Sequence, residues 1–104
     1  MSVDKSTRRR VVIIIGASSG IGRSTARALS GHGWNVVLAS RSATALDAVA
    51  VECAVHGVDS LVVPTDVGDG SAVDALFETA VARFGRIDAV VNTAAAVALS
   101  LIHI

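Results

Sequence analysis

The hydrophobic residues of this chain fall into short continuous runs that alternate with longer stretches of helical spacing. Continuous apolar runs are typical of strands that are buried on both faces, and spacings of three and four residues are typical of amphipathic helices. The runs predict strands at 11–15, 35–39, 61–63 and 89–91. The helical stretches predict helices at about 20–30, 42–56 and 71–84.

This alternation of strands and helices predicts an α/β fold with a doubly wound parallel sheet. Right-handed crossovers place helices on both faces of such a sheet, and ligands bind at the carboxyl ends of its strands. We expect the sheet to stop after the fourth strand, which would leave one edge of that strand free for association.

Residues with capping chemistry mark the ends of the predicted helices. Ser42 is expected to cap the second helix, and Gly57 lies just past its end. The third helix is expected to begin at Ser71, with Asp74 three residues on as an approximate capping box. The apolar stripes of these two helices are expected to be core, and they comprise Leu46, Val49, Ala50, Cys53, Val73, Leu76, Phe77, Ala80, Val81 and Phe84.

Composition and charge fit one packed domain. The 104 residues are 52% hydrophobic and carry zero net charge, so no overall field favours nucleic acid or a membrane. Residues 1–10 hold four basic side chains and one acid, and we expect a solvated basic tail there. An export signal is not expected, because the apolar run that follows spans only 11–15. No run approaches the roughly 18 apolar residues of a membrane span.

The cysteine and histidine residues point to a cytoplasmic protein without a metal site. Cys53 is the one cysteine of the chain, so it cannot form an internal disulfide, and it falls within an apolar stripe. His32 and His56 lie at ends of predicted helices. No cluster of His, Cys and Asp has the spacing of metal ligands.

The turn between the first strand and the first helix is the main candidate for chemistry. Gly16 permits a tight turn, Gly20 lets the backbone approach a phosphate, and Gly22 lets the helix pack closely on the sheet. The helix N-terminus then offers free N–H groups and a positive dipole end to a pyrophosphate. The candidate phosphate-binding residues are Gly16, Ser18, Ser19, Gly20, Ile21 and Gly22.

Two other phosphate motifs fail on spacing. The fingerprint G-x-G-x-x-G requires a glycine where this chain has Ser18. A P-loop requires glycine and lysine where this chain has Ile21 and Gly22. The turn is therefore not that of a nucleoside triphosphatase.

The spacing G-x-x-x-G-x-G within GASSGIGRSTARAL resembles the short-chain dehydrogenase/reductase family, and the resemblance covers nearly all of 11–98. It implies a Rossmann-type fold that ends, in this chain, after the fourth strand. The family usually has threonine before the first glycine, where this chain has Ile15. That change removes one hydroxyl bridge to neighbouring backbone and leaves the phosphate cradle intact.

The end of the second strand predicts which dinucleotide is preferred. Ser40 occupies the place where a carboxylate would bind a free ribose 2′-hydroxyl, and Arg41 follows it. Arginine offers a planar, multi-donor fork to a 2′-phosphate, so we expect NADP(H) to be preferred over NAD(H). Ser18 could add a hydroxyl to this phosphate, and Arg23 is expected to add positive potential.

The ends of the third and fourth strands complete the site that the resemblance implies. Asp66 would accept from the adenine amino group, with the backbone N–H of Val67 at the ring. A turn carboxylate is the alternative role for Asp66. Asn92 and Ala94 match the family's Asn-Asn-Ala-Gly segment, which lies near a ribose, whereas Thr93 and Ala95 depart from it.

The chain holds no residue to which the family's catalysis can be assigned. That chemistry uses a serine, a Tyr-x-x-x-Lys pair and a further asparagine beyond the fourth strand, and this chain has no tyrosine. The resemblance implies a parent enzyme, expected to be a homo-oligomer, that transfers hydride between nicotinamide and an alcohol or carbonyl substrate. Alternatives are a non-catalytic NADP(H)-binding module and an NAD(P)-binding protein resembling an epimerase. We expect the chain alone to be inactive.

The last six residues, 99–104, match the translation of a transposon-end adapter used in sequencing libraries. We therefore expect 11–98 to be the NADP-binding half-domain and 99–104 to be a non-native tail. The alternative is a natural apolar segment that leads into the next helix.

Overall fold

The computed structural model describes residues 9–18, 20–93 and 98–101, the last range by its backbone. In this part of the chain five strands and three helices follow one another in the predicted alternation. The strands are β1 (Val11–Ile15), β2 (Asn35–Ser40), β3 (Ser60–Pro64), β4 (Ala89–Asn92) and β5 (Ala98–Leu101). The helices are α1 (Gly20–Gly31), α2 (Ala43–Ala54) and α3 (Gly70–Phe84).

The strands form one sheet in the order β3-β2-β1-β4-β5. The first four of these are mutually parallel, with β1 paired to β2 on one side and to β4 on the other. This is the strand order of a Rossmann-type doubly wound fold, in which the chain reverses direction along the sheet between β1 and β4. The fold class that the hydrophobic pattern predicts is confirmed.

One expectation about the sheet is wrong: the outer edge of β4 is not free. β5 pairs with it in antiparallel register, so that Asn92 lies opposite Ala98 and Ala89 lies opposite Leu101. An antiparallel partner is possible here because the backbone N–H and C=O groups of β4 can pair with a strand of either direction. Residues 99–101 of the expected tail thus lie in β5, and 102–104 lie outside the described residues.

Two apolar layers enclose the sheet, one on each face. Val12 and Ile14 face α1 and α2, where they meet Leu46 and Cys53. Val11, Ile13 and Ile15 face α3, where they meet Leu76 and Ala80. Every residue of β1 is buried because successive side chains point to opposite, equally covered faces.

The caps of the helices agree with the sequence at one position and differ at another. The Ser42 side chain caps α2 by accepting from the Ala45 amide at 3.2 Å, as predicted. The expected capping box of Ser71 and Asp74 is wrong. Asp69 caps α3 instead, because its carboxylate accepts from the amides of Ser71 and Ala72 and from the Ser71 hydroxyl.

Candidate cofactor-binding site

The carboxyl ends of β1, β2, β3 and β4 meet at one edge of the sheet, and backbone hydrogen bonds continue past each strand. The Gly16 amide donates to the Ala39 carbonyl at 2.8 Å, which joins the ends of β1 and β2. The Thr65 amide donates to the Ser40 carbonyl at 2.7 Å. The residues that follow the strands are therefore held side by side, as a single ligand site requires.

The glycine-rich turn follows β1 and enters α1 at Gly20. Gly16 has a φ of 85° and Gly20 a φ of 57°, a backbone region that other residues seldom adopt. Among the described residues beyond its chain neighbours, none lies within 4 Å of the position that a Cβ atom would take at Gly20, which leaves room for a ligand on that side. Ser18 is half-buried in the turn, and Ser19 lies outside the described residues.

Gly22 brings the first turn of α1 against the end of β1. A Cβ atom at this position would overlap the Gly16 carbonyl group and would lie 2.9 Å from the Thr93 hydroxyl oxygen. Only glycine permits this approach, which places the free amides of the helix N-terminus over the strand ends. The roles predicted for Gly20 and Gly22 fit this geometry, and Ile21 between them exposes 59% of its surface.

A small cavity of about 190 Å³ lies beside the turn, lined by Gly16, Ser40, Arg41, Thr65 and Val67. Whole pockets for ligands of drug size are about 300–1,000 Å³, so this volume suits one end of a larger ligand. Arg41 is exposed at its rim, and none of the described residues that line it is acidic. The charged side chain among the described lining residues is thus the cationic and exposed Arg41.

Ser40 lines this cavity, and its Oγ is buried and has no hydrogen-bond partner within the described part of the chain. A buried hydroxyl without a partner is costly, and rotation of the side chain towards a polar ligand group in the cavity would relieve that cost. Ser40 lies at the strand end expected to select the dinucleotide, and it was not predicted as a binding residue.

Arg23, the other candidate cation near the turn, is paired with a carboxylate. Arg23 forms a two-pronged ion pair with Glu52 of α2, with distances of 2.9 and 2.5 Å. This hydrogen bonding raises the pKa of Arg23 and lowers the pKa of Glu52. The guanidinium that was expected to add positive potential to the phosphate site is instead paired with the Glu52 carboxylate.

Asp66 has the turn role that the sequence analysis left open. Its Oδ1 accepts from the Gly68 amide at 2.9 Å, so the carboxylate closes the turn that follows β3. A carboxylate has two oxygens and several lone pairs, so this bond leaves accepting capacity for a ligand. Val67 lines the cavity and exposes 46% of its surface, so an apolar surface flanks the carboxylate.

The end of β4 reaches the turn through Thr93, which the sequence analysis treats only as a departure from the family. Its amide donates to the Ile15 carbonyl, and its hydroxyl lies 2.9 Å from that oxygen and 3.2 Å from the Gly16 oxygen. Asn92 is half-buried beside it, and Ala94 lies outside the described residues.

Thr65, buried in the cavity wall, is a further residue that was not predicted from the sequence. Its position directly after the third strand was the available signal.

The described residues show no group of three or more His, Cys, Asp or Glu side chains that could hold a metal ion. Among the helices that the structure describes, none is long and apolar enough to cross a membrane. Cys53 is buried in the layer between the sheet and the helices, and burial raises the pKa of its thiol. A thiol in that state packs as a small apolar side chain.

The strand order, the glycine-rich turn and the strand-end cavity define a Rossmann-type α/β protein. A family model described as short chain dehydrogenase matches residues 10–103. This chain belongs to the short-chain dehydrogenase family.

Sequence and structure comparisons agree on that family. The uncharacterized oxidoreductase YxnA of Bacillus subtilis is 43% identical over 91 residues, covering 88% of this chain and 26% of that protein. A 3-oxoacyl-[acyl-carrier-protein] reductase of Synechocystis is 41% identical, covering 82% of this chain and 35% of that protein. An alcohol dehydrogenase of Thermococcus sibiricus, solved with 5-hydroxy-NADP, is 35% identical with a TM-score of 0.76 and covers 79% of this chain. This chain covers 35% of that dehydrogenase.

The chain thus spans between about a quarter and just over a third of the length of these proteins. Its family membership rests on the part that holds the strand-end site.

Proposed function

We propose that this chain binds the adenosine and pyrophosphate of NADP(H), as the cofactor-binding part of an NADP(H)-dependent short-chain oxidoreductase. The observation that carries the proposal is Arg41 at the rim of a cavity that no described acidic residue lines. A carboxylate in that cavity would repel a 2′-phosphate, whereas the guanidinium fork can donate two parallel hydrogen bonds to it.

The glycine-rich turn would hold the pyrophosphate. Its amides and the positive end of the α1 dipole would meet the ligand at Gly20, where no described residue beyond the chain neighbours comes within 4 Å of a Cβ position. The residues that would form this cradle are Gly16, Ser18, Ser19, Gly20, Ile21 and Gly22. The Thermococcus sibiricus dehydrogenase, which shares this fold and was solved with 5-hydroxy-NADP, supports a dinucleotide as the ligand.

The adenosine would lie across the ends of β2 and β3. Ser40 would donate its unpartnered hydroxyl to the ribose 2′-phosphate beside Arg41. Asp66 would accept from the adenine amino group with the oxygen that does not close the turn, and Val67 would cover the ring. Asn92 and Ala94 would line the path of the second ribose.

The bound cofactor would supply hydride exchange with an alcohol or carbonyl group of a small substrate. This chain's own residues bind and orient the cofactor, and none of them is assigned a proton-transfer role. The family's proton donor is a tyrosine, and this chain has none, so we expect the chain alone to bind the cofactor without turnover. We place the whole protein in the cytoplasm as a homo-oligomer. The single buried thiol, which needs no oxidising compartment, supports the location.

A fluorescence titration of the chain with NADPH and with NADH tests the proposal. Arg41→Ala should weaken NADPH binding about 10- to 100-fold, the value expected when a charge-assisted hydrogen bond is lost. NADH binding should change less than about 2-fold, because NADH has no 2′-phosphate.

Arg27→Ala is the matched control, since Arg27 is also an exposed arginine and does not line the cavity. It should leave both affinities unchanged. Two results would overturn the assignment of Arg41 to the 2′-phosphate: equal affinity of the unmutated chain for NADPH and NADH, or an equal loss of the two affinities in Arg41→Ala.

A further inference from the structure

The hydroxyl of Thr93 lies at the point where three elements meet. It is within hydrogen-bonding distance of the carbonyl oxygens of Ile15, at 2.9 Å, and Gly16, at 3.2 Å. One hydroxyl proton is therefore shared or alternates between the last carbonyl of β1 and the first carbonyl of the glycine-rich turn. The same oxygen lies 2.9 Å from the place of a Cβ atom at Gly22, in the first turn of α1.

The peptide groups of Gly16 are held from two sides. The Gly16 amide donates to the Ala39 carbonyl of β2, and the Gly16 carbonyl faces the Thr93 hydroxyl. Glycine at a φ of 85° has little steric preference of its own, so these bonds decide how the turn is oriented. Ile15, directly before it, is buried and has an apolar side chain that cannot contribute a hydroxyl.

We propose that Thr93 is a positioning residue for cofactor binding, which orients the pyrophosphate-binding turn from the end of β4. The inference rests on the proposed function. Ile15 stands where the family usually has threonine, so β1 offers no side-chain hydroxyl at this position. In this chain the hydroxyl that meets the turn comes from Thr93, which follows the neighbouring strand β4. The Thr93 hydroxyl thus meets the Ile15 carbonyl across the β1–β4 junction, although the two residues are 78 positions apart.

The test compares Thr93→Val, which removes the hydroxyl at nearly constant volume, with Thr93→Ser, which keeps it. Two ligands are titrated into the full chain: NADPH, and adenosine 2′-monophosphate, which carries the 2′-phosphate but no 5′-phosphate to reach the turn. Thr93→Val should weaken NADPH binding about 3- to 10-fold, the effect of one neutral hydrogen bond, and leave the monophosphate affinity within about 2-fold. Thr93→Ser should bind both ligands as the parent chain does.

This split distinguishes positioning from general stability, which would weaken both ligands together. Unchanged NADPH binding in Thr93→Val, or an equal loss of the two ligands, would overturn the inference. Should Thr93→Val not fold, Thr93→Ala takes its place against Thr93→Ser with the same expected results.

Amide hydrogen exchange separates this inference from the proposed function. The amides of Gly16 and Ala17, which donate to Ala39, should exchange faster in Thr93→Val than in Thr93→Ser, while amides of α2 stay unchanged. If the parent chain binds neither ligand, the proposed function is overturned, and the exchange rates still decide whether Thr93 orients the turn. Equal exchange rates in the two variants would contradict the role of Thr93 in orienting the turn.

Discussion

At the scale of single residues, the site depends on where a side chain is missing as much as on where one is present. Gly22 allows α1 to approach the Gly16 carbonyl, and a Cβ atom there would meet backbone that cannot move aside. The polar side chains among the lining residues of the cavity are those of Ser40, Arg41 and Thr65. The sequence predicts the glycines and the arginine, because their chemistry is local to the turn and to the strand end.

Gly22→Ala should both destabilise the chain and impair cofactor binding. The added methyl group overlaps the Gly16 carbonyl, so the helix or the turn must shift, at a cost of about 1–3 kcal/mol. Thermal melts measure the loss of stability. NADPH titration measures the loss of affinity that a displaced turn would cause.

Gly31→Ala is the matched control in the same helix. A Cβ atom there would lie 3.6 Å from the His56 ring, which is ordinary contact. Its melting temperature should stay the same or rise slightly, because alanine has the higher helix propensity. Equal behaviour of the two variants would contradict the close packing described for Gly22.

At the scale of elements, the helices follow their apolar spacing closely, and their ends follow side-chain hydrogen bonds. The predicted stripe of α2 is buried except at Ala50, which is partly buried, and the stripe of α3 is divided between buried and partly buried residues. The start of α3 was misplaced because two candidates stand close together. Asp69 and Ser71 both have capping chemistry, and only the backbone conformation shows that Asp69 precedes the first helical turn.

Asp69→Ala should lower the melting temperature at neutral pH, and Asp69→Asn should largely keep it, because asparagine also caps helices well. The hydrogen bonds from Ser71 and Ala72 lower the pKa of Asp69 from its ordinary value of 3.8. The stabilisation is therefore present above the pKa of the unfolded chain and is lost as the pH falls through the lower pKa of the folded chain.

Melting curves of the three chains between neutral pH and about pH 3 check this expectation. The difference between the parent chain and Asp69→Ala should shrink towards the acid end of that range. A difference that is constant with pH would show that the Asp69 charge has no part in the cap.

At the scale of the whole molecule, polar contacts between distant segments hold the sheet at the end opposite the site. Asp88, which is only 7% exposed, accepts from the Val11 amide at 2.8 Å and from two of the three guanidinium nitrogens of Arg86. These bonds join the start of β1 to the segment before β4. The hydrogen bonding raises the pKa of Arg86.

Asp88→Ala should lower the free energy of unfolding by about 2 kcal/mol or more, because it leaves the Val11 amide and a guanidinium without this carboxylate. Asp88→Asn keeps an acceptor for the amide and should cost less. Asp74→Ala, an exposed carboxylate on α3, should stay within about 0.5 kcal/mol of the parent. Urea denaturation of the three variants measures these differences, and equal midpoints for Asp88→Ala and Asp74→Ala would refute the role of Asp88.

The sequence by itself determined the alternation of strands and helices, the glycine-rich turn and the positions of Arg41 and Asp66, because each depends on residues that are close along the chain. Only the tertiary structure decided that Thr93 contacts Ile15 and Gly16. It also decided that Arg23 forms an ion pair with Glu52, and that β5 pairs with the outer edge of β4. These contacts join segments far apart in sequence, and local spacing carries no information about which distant partner will be adjacent. The same physical reason explains why the departure at position 93 could be noticed in the sequence while its role as a partner of the turn could not.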